Sequence, residues 1–245
     1  MNDLRIQKIG RYTVGYTESW LEPYIENITE IIQVPAGNSE NTLGGRRKVP
    51  VVELAPGTRA AVKHYARGGL LGHFVKETYL KWGKARSRKE FEWLQRVRLL
   101  NIRAPEPLAF VFQGRRFSRC WLLTGEIEDH ETLADYHFSG HQQAENIMAD
   151  LASQVGVLIS NKILHVDLHP GNVLIDPSGL CHIIDFDKAR WFWGGIKRLS
   201  SRYLSRWQRA VLKHRLDPML VHAFEKNLHA VTGSARRWRP PAEGS

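Results

Sequence analysis

The sequence predicts an α+β fold in two lobes, a small β-rich lobe followed by a reduced helical lobe. Three observations predict it. Strand-like runs cluster before residue 124, and two long helical periodicities follow that point. Between those helices lie two short apolar runs that end in acidic residues. The expected domains are 1–124 (an N-terminal extension plus the β-rich lobe), 125–231 (the helical lobe) and 232–245, a disordered tail rich in Gly, Ser, Arg and Pro.

Residues 1–20 alternate weakly and suit an edge strand or an extension. Pro23 to Ile32 reads as a short helix, with Ile25, Ile28, Ile31 and Ile32 on one face and Pro near its first turn. Residues 35–47, rich in Gly, Asn and Ser, read as a mobile loop. Two strands, Lys48–Leu54 and Arg59–Tyr65, are joined through Ala55-Pro56-Gly57-Thr58, a sequence with good turn chemistry. Gly44-Gly45 precedes this hairpin, short of a full phosphate-covering glycine loop. Lys63 lies inside its second strand, where a buried ammonium needs an anionic partner.

The helix expected over Arg86–Leu100 can supply that partner. Phe91, Leu94 and Val97 mark its apolar stripe, and Glu90 flanks it one turn before Leu94, whereas Glu92 points further toward the polar face. Pro105 and Pro107 then start an extended stretch. Leu108–Gln113 and Phe117–Thr124 read as a hairpin turning at Gly114-Arg115. Gly125-Glu126-Ile127 follows as a hinge whose backbone groups at Glu126 and Ile127 suit adenine. Asn146–Lys162 is a long helix with Ile147, Leu151, Val155 and Leu158 at helical spacing.

The chemistry concentrates in residues 165–187. Asp167 falls two residues after His165, Asn172 five after Asp167, and Asp185 opens Asp-Phe-Asp thirteen residues later. Kinases use this order: one Asp faces the hydroxyl, while an Asn and a second Asp hold Mg²⁺. An ATP γ-phosphate stays unreactive until metal neutralises it and a hydroxyl is aimed in line, so these residue types are needed together. Asp167 is the expected catalytic residue, Asn172 and Asp185 the expected metal ligands, and ATP and Mg²⁺ the expected cofactors. The bland alternative is a pair of buried strands with acidic ends.

After Asp187, 58 residues remain, too few for a protein kinase's activation segment and late helices. Residues 196–215 form a basic amphipathic pattern. Ile196, Leu199, Tyr203, Trp207 and Ala210–Val211 lie on one face, with Lys197, Arg198, Arg202, Arg206, Arg209 and Lys213 around them. Such a helix suits an anionic membrane surface, or equally a lobe helix with a solvated basic face. The formal net charge is +10, and residues 181–245 carry 13 Lys/Arg against 5 Asp/Glu. No nucleic-acid motif accompanies this charge, so no nucleic-acid partner is expected. Cys120 and Cys181 sit in apolar runs and read as buried free thiols. Neither an apolar leader nor a run near the roughly 20 residues of a spanning helix is visible. Oligomeric state stays open.

The stretch Val62-Lys63-His64-Tyr65-Ala66-Arg67-Gly68-Gly69-Leu70 resembles the R-H-Y-x-R-G-G-L segment of bacterial 3-deoxy-D-manno-octulosonic acid (Kdo) kinases, of the lipopolysaccharide kinase family. The resemblance continues through Tyr79, Glu90-Phe91, Leu94-Gln95-Arg96 and Pro105-Glu106-Pro107, and returns at His165–Asn172 and Asp185-Phe186-Asp187-Lys188. It implies a protein-kinase-like bilobal fold and ATP-dependent phosphorylation of Kdo on a lipid A precursor, by a peripheral protein at the cytoplasmic face of the inner membrane. Lys63 would be the phosphate lysine, Glu90 its partner, Asp167 the base, and Asn172 and Asp185 the Mg²⁺ ligands; the weaker ATP-binding candidates are Gly44, Gly45, Glu126 and Ile127. Arg67, Lys84, Arg86 and Arg88 would suit an acceptor bearing phosphates and a carboxylate. Two positions depart from the family pattern: Lys63 stands for its usual arginine, and His169-Pro170-Gly171 resembles aminoglycoside and choline kinases. The runner-up is therefore a heptose or other small-molecule kinase. From another class comes a catalytically weak, pseudokinase-like membrane scaffold, against which the retained Lys63, Asp167, Asn172 and Asp185 argue.

Overall fold

The computed structural model describes residues 3–33, 49–65, 85–114 and 119–234, which divide into two compact units. One comprises residues up to Arg96 together with Pro105–Glu126; the other comprises Val97–Ala104 and the chain from Ile127 onward.

The first unit is built on a six-stranded antiparallel sheet. Its strands are β1 (Arg5–Ile9), β2 (Tyr12–Tyr16), β3 (Val51–Ala55), β4 (Thr58–Tyr65), β5 (Pro107–Gln113) and β6 (Arg119–Gly125), in spatial order β1-β2-β5-β6-β4-β3. The weakly alternating N-terminal residues thus form a hairpin that extends the sheet, with β1 at its edge. A 3₁₀ turn over Ser19–Tyr24 contains Pro23, and α1 (Ile25–Ile31) begins only after it. The expected helix over Pro23–Ile32 is thus two pieces, its first two residues belonging to the 3₁₀ turn.

Period-two alternation sends the two sheet faces to different partners. Val14, Ala60, Val62, Ala109, Val111 and Leu123 join Leu21, Ile25 and Ile28 in one buried cluster. The other face meets α2 (Arg86–Leu99). There Phe91 packs edge-on to Phe110, with ring centroids 5.2 Å apart, and the Ser87 hydroxyl donates to the Val111 carbonyl. Gly15, Phe110, Leu122 and Lys63 occupy one cross-strand row, because each is register partner of the next. Gly15 leaves the room that the Phe110 ring fills.

In the second unit, α3 (His141–Ser160) is the core helix, burying Ile147, Leu151, Val155 and Leu158. It starts five residues before the expected Asn146, since its first turn is polar and carries no apolar periodicity. It packs on α5 (Met219–Ser234) at Gly156, where any Cβ would stand 2.5 Å from Val231. Residues 232–234, expected in the tail, are therefore helical, and 235–245 lie outside the described residues. The helix α4 (Ile196–Lys213) corrects a second expectation. Leu199, Tyr203, Trp207 and Val211 are buried, and Trp207 stacks 4.8 Å from Phe224 while its indole N–H donates to the Leu220 carbonyl. That stripe is core and is not available to lipid. Short strands complete the unit: β7 (Glu131–Thr132), β9 (Val173–Ile175) and β10 (Cys181–Ile183) in one sheet, β8 (Ile163–Leu164) with β11 (Arg190–Trp191) in another. Arg103 fastens Val97–Ala104 here by pairing with Asp150 and donating to the Cys181 carbonyl. Burial and the neighbouring Asp150 push the Cys181 thiol far up, which suits an inert buried cysteine.

A Cβ at Gly15 would stand 2.0 Å from Phe110, whose ring is held between Phe91 and Phe112. Gly15→Ala is expected to lower stability by about 1–3 kcal/mol through overpacking, seen as a reduced urea midpoint at unchanged slope. An unchanged midpoint would show that the ring can move aside.

Candidate active site

In the first unit, alternation along β4 turns Ala60 and Val62 toward the α1 side and Lys63 and Tyr65 toward α2. Lys63 Nζ lies 3.0 and 2.7 Å from the two carboxylate oxygens of Glu90. Tyr65 adds a hydroxyl donor to the same carboxylate. Glu90 is buried, so its charge is tolerated because three donor contacts replace water. Glu92 instead pairs with Arg88 at 3.0 Å, one helical turn away. Arg88 also lies over the Phe110 ring and Arg86 over the Tyr65 ring. Both arginines are thus engaged locally. Gly44, Gly45, Arg67 and Lys84 lie outside the described residues. At the expected hinge, the Glu126 N–H donates to the Arg59 carbonyl at 3.1 Å and its carboxylate pairs with Arg59. The Ile127 carbonyl meets the His130 ring.

In the second unit, β8 runs straight into the loop carrying His165, Asp167 and Asn172, which closes with a 3₁₀ turn at Pro170–Asn172. His169 caps that turn, its Nδ1 accepting from the Gly171 N–H at 3.1 Å. A local role thus exists for the histidine of the departing His-Pro-Gly segment. Asn172 donates its side-chain N–H to the Asp167 carbonyl at 2.9 Å, which aims the amide oxygen the other way. Two bonds tie this loop to the Asp-Phe-Asp turn: Ile184 N–H to the Asn172 carbonyl at 3.0 Å, and His165 Nε2 to the Ile184 carbonyl at 2.9 Å. The His165 ring also stands edge-on to Phe186. Asp185 has φ of +66°, a left-handed conformation uncommon for a non-glycine residue and shared with Asn101, Asp129, Lys162 and Arg215.

Asp167 is clamped. Its two carboxylate oxygens lie 2.7 Å from Lys188 Nζ and 2.7 Å from Arg206 Nη2. Partial burial pushes its pKa up, as does Asp185 more weakly, but the Lys188 bond and the charges of Lys188 and Arg206 prevail and hold it below the usual value. His165 goes the other way from a normal imidazole. Burial outweighs the bond to Ile184 and the nearby aspartates, keeping it neutral, with Nε2–H donating and Nδ1 buried without a hydrogen-bond partner. Neither Lys188 nor Arg206 is given a role by the sequence. Lys188 adjoins the Asp-Phe-Asp motif, a usable signal; Arg206 is one of six basic residues on α4, and only packing selects it.

Among the described residues no group of three His, Cys, Asp or Glu side chains is arranged to hold a metal ion. Kinase-type Mg²⁺ requires less, namely one or two protein oxygens with the remainder from phosphates and water. Asn172, whose amide nitrogen is committed to the Asp167 carbonyl so that its oxygen is the atom left to ligate, and Asp185 are chemically suited to it.

A strand lysine paired with a helix glutamate, and a tethered Asp/Asn loop beside Asp-Phe-Asp, define a phosphotransferase of the kinase class. A family model described as the lipopolysaccharide kinase (Kdo/WaaP) family matches residues 41–231, and the chain belongs to that family. Among its relatives is a protein named 3-deoxy-D-manno-octulosonic acid kinase from Vibrio vulnificus (strain CMCP6). It is 29% identical over 234 residues, covering 92% of this chain and 95% of that protein. The protein of the same name from strain YJ016 is 30% identical over the same shares. That from Pasteurella multocida (strain Pm70) is 32% identical over 182 residues, 71% and 74% of the two chains. The crystal structure of the yeast RNA Pol II CTD kinase CTDK-1 complex covers 63% of this chain and 46% of that one at 20% identity. Its TM-score of 0.40 is too low to bear on the fold.

The Tyr203 hydroxyl accepts from His165 N–H at 2.8 Å and donates to the Ile163 carbonyl at 2.9 Å, so it holds the base of the His165–Asn172 loop. Tyr203→Phe strands both buried backbone groups and is expected to cost about 1–3 kcal/mol, measured by urea unfolding. The clamp on Asp167 gives a second expectation. Because the folded pKa is depressed, the stabilisation is complete above the unfolded value of about 3.9 and disappears as pH falls through the lower folded value. Acid titration of the Lys188→Gln/Arg206→Gln protein should show a shallower loss of stability in that window; an identical slope would mean the ion pairs are absent in solution.

Proposed function

We propose that this chain transfers the γ-phosphoryl group of ATP to a hydroxyl of Kdo on a lipid A precursor, acting peripherally at the cytoplasmic face of the inner membrane. The observation that carries the reading is the clamped Asp167, beside Asn172 in a loop bonded to Ile184 next to Asp185, in a member of the lipopolysaccharide kinase family. In this reading Asp167 aims the acceptor hydroxyl and takes its proton as the new O–P bond forms and the bond to ADP breaks. A carboxylate with a lowered pKa is a weak base. Its main contribution is therefore orientation, which suits a loose transition state in which proton transfer demands little.

Lys63, positioned by Glu90 and Tyr65, would take the α- and β-phosphates. Asn172 and Asp185 would hold Mg²⁺, which supplies charge neutralisation. Lys188 and Arg206 add positive charge where an acceptor's carboxylate or phosphate, or the transferred group, would meet Asp167. The first unit and the second would then be the two lobes of the kinase. No helix among the described residues is long and apolar enough to cross a membrane, which is compatible with a peripheral protein.

Transfer of label from γ-labelled ATP should be detected with a Kdo-bearing lipid A precursor and be weaker with heptosylated or soluble acceptors. Asp167→Asn should lower kcat by roughly 10²–10⁴-fold and Lys63→Met should lower it strongly, with the fold intact by circular dichroism. Parental activity in Asp167→Asn would refute the assignment. Preference for a soluble sugar, independent of detergent, would identify a small-molecule kinase instead.

A further inference from the structure

With the apolar stripe of α4 buried, the most exposed large apolar side chain among the described residues lies just before it, on the segment from β11 into the first turn of the helix. Trp193 is 94% exposed, and Trp191 and Ile196 are each 46% exposed. The backbone dictates this. Trp191 pairs with Ile163 and the Phe192 N–H donates to the Lys162 carbonyl at 2.8 Å, so the segment is extended and fastened to β8. Its side chains alternate. Phe192 folds back against Gly194, where a Cβ would stand 2.6 Å from the ring, and lies beneath the Arg202 guanidinium at 5.2 Å. Trp193 is left facing outward, and Trp191 beside it is about half-exposed.

Basic charge surrounds them. Arg190, Arg198 and Arg202 are exposed, and residues 188–216 contain nine Lys/Arg and no Asp/Glu. A soluble surface has no need to hold two tryptophans and an isoleucine in water within an unbroken basic field. The combination matches an anionic lipid interface, where indoles settle at headgroup depth and cations meet phosphate.

We propose that Trp191, Trp193 and Ile196, ringed by Arg190, Arg198 and Arg202, dock this protein onto an anionic phospholipid bilayer. The ledge adjoins the catalytic loop through the chain itself. Its strand β11 pairs with β8, which leads directly to His165–Asp167, and Lys188, two residues before Arg190, binds Asp167. A bilayer held here lies beside the Asp167 loop, so a lipid-linked hydroxyl reaches it without leaving the membrane. This deepens the reading of a lipid-linked acceptor and rests on it for its purpose.

The test is sedimentation of the full chain, without ATP or acceptor, with vesicles of phosphatidylcholine alone and of phosphatidylcholine with phosphatidylglycerol. Binding is expected only to the anionic vesicles and should weaken with salt. Trp191→Ser/Trp193→Ser should reduce it by roughly tenfold or more, and each of Arg198→Gln and Arg202→Gln by about fivefold, with circular dichroism and thermal midpoint matching the parent. Undiminished binding of the tryptophan variant overturns the proposal. So does undiminished vesicle binding in both arginine variants. Vesicle binding is read apart from transfer, so docking with no transfer to Kdo sinks the acceptor reading alone, and transfer without docking sinks this one alone.

Discussion

The second unit depends on one electrostatic constraint: the Asp167 carboxylate stays charged although partial burial and the nearby Asp185 both oppose it. Like charges raise each other's pKa, and partial burial adds to the effect. Lys188 and Arg206, each 2.7 Å from an oxygen of Asp167, reverse it. Arg206 can do so only if α4 is fixed. Tyr203 is bonded to both ends of the Ile163–His165 segment, and Trp207 is bonded to the Leu220 carbonyl beneath Phe224. The hydrophobic stripe of α4 thus delivers a guanidinium to a carboxylate. Packing at Tyr203 and Trp207 and charge at Arg206 are successive positions on the same helical turns.

The first unit solves a comparable problem differently. Glu90 is buried and receives Lys63 twice and Tyr65 once. A buried ion pair adds little net stability, because desolvation of both charges offsets their attraction. What it provides is position. β4 fixes Lys63 through its register with Leu122, and α2 fixes Glu90 through the Phe91–Phe110 contact. The ammonium is thereby held at a defined height above the sheet.

Much of this was legible in the sequence because the determinants are local. Alternation in Arg59–Tyr65 and the stripe of α2 that flanks Glu90 operate within single elements, and the spacing from His165 to Asp185 within one short stretch of chain. What stayed illegible needed tertiary information. The N-terminal hairpin gains its place in the sheet only from β5. Helix α5 has no counterpart among the sequence expectations, although Leu220, Ala223, Phe224 and Leu228 have helical spacing. The choice of Arg206 among six basic residues depends on which turn of α4 faces the catalytic loop. The glycine pair and the Arg67 segment, which carry part of the family resemblance, lie outside the described residues.

The clearest divergence between pattern and structure is α4 itself. An amphipathic, basic, Trp- and Tyr-bearing helix satisfies the compositional description of a membrane-surface helix and of a core helix equally. Helical periodicity shows that one face is apolar and does not show what covers it. Here protein covers it: Leu199, Tyr203, Trp207 and Val211 are all buried. The discriminating quantity is therefore which aromatics the folded chain leaves in water. Most exposed of these among the described residues is Trp193, which with the half-exposed Trp191 is set outside the periodic stretch by a two-residue strand and two glycines. If lipid is met at all by this face, it is met by residues that no helical periodicity selects. The basic residues are shared: Arg206 turns inward to Asp167, while Arg198 and Arg202 remain exposed, so a single helix divides its charge between an internal ion pair and the surface.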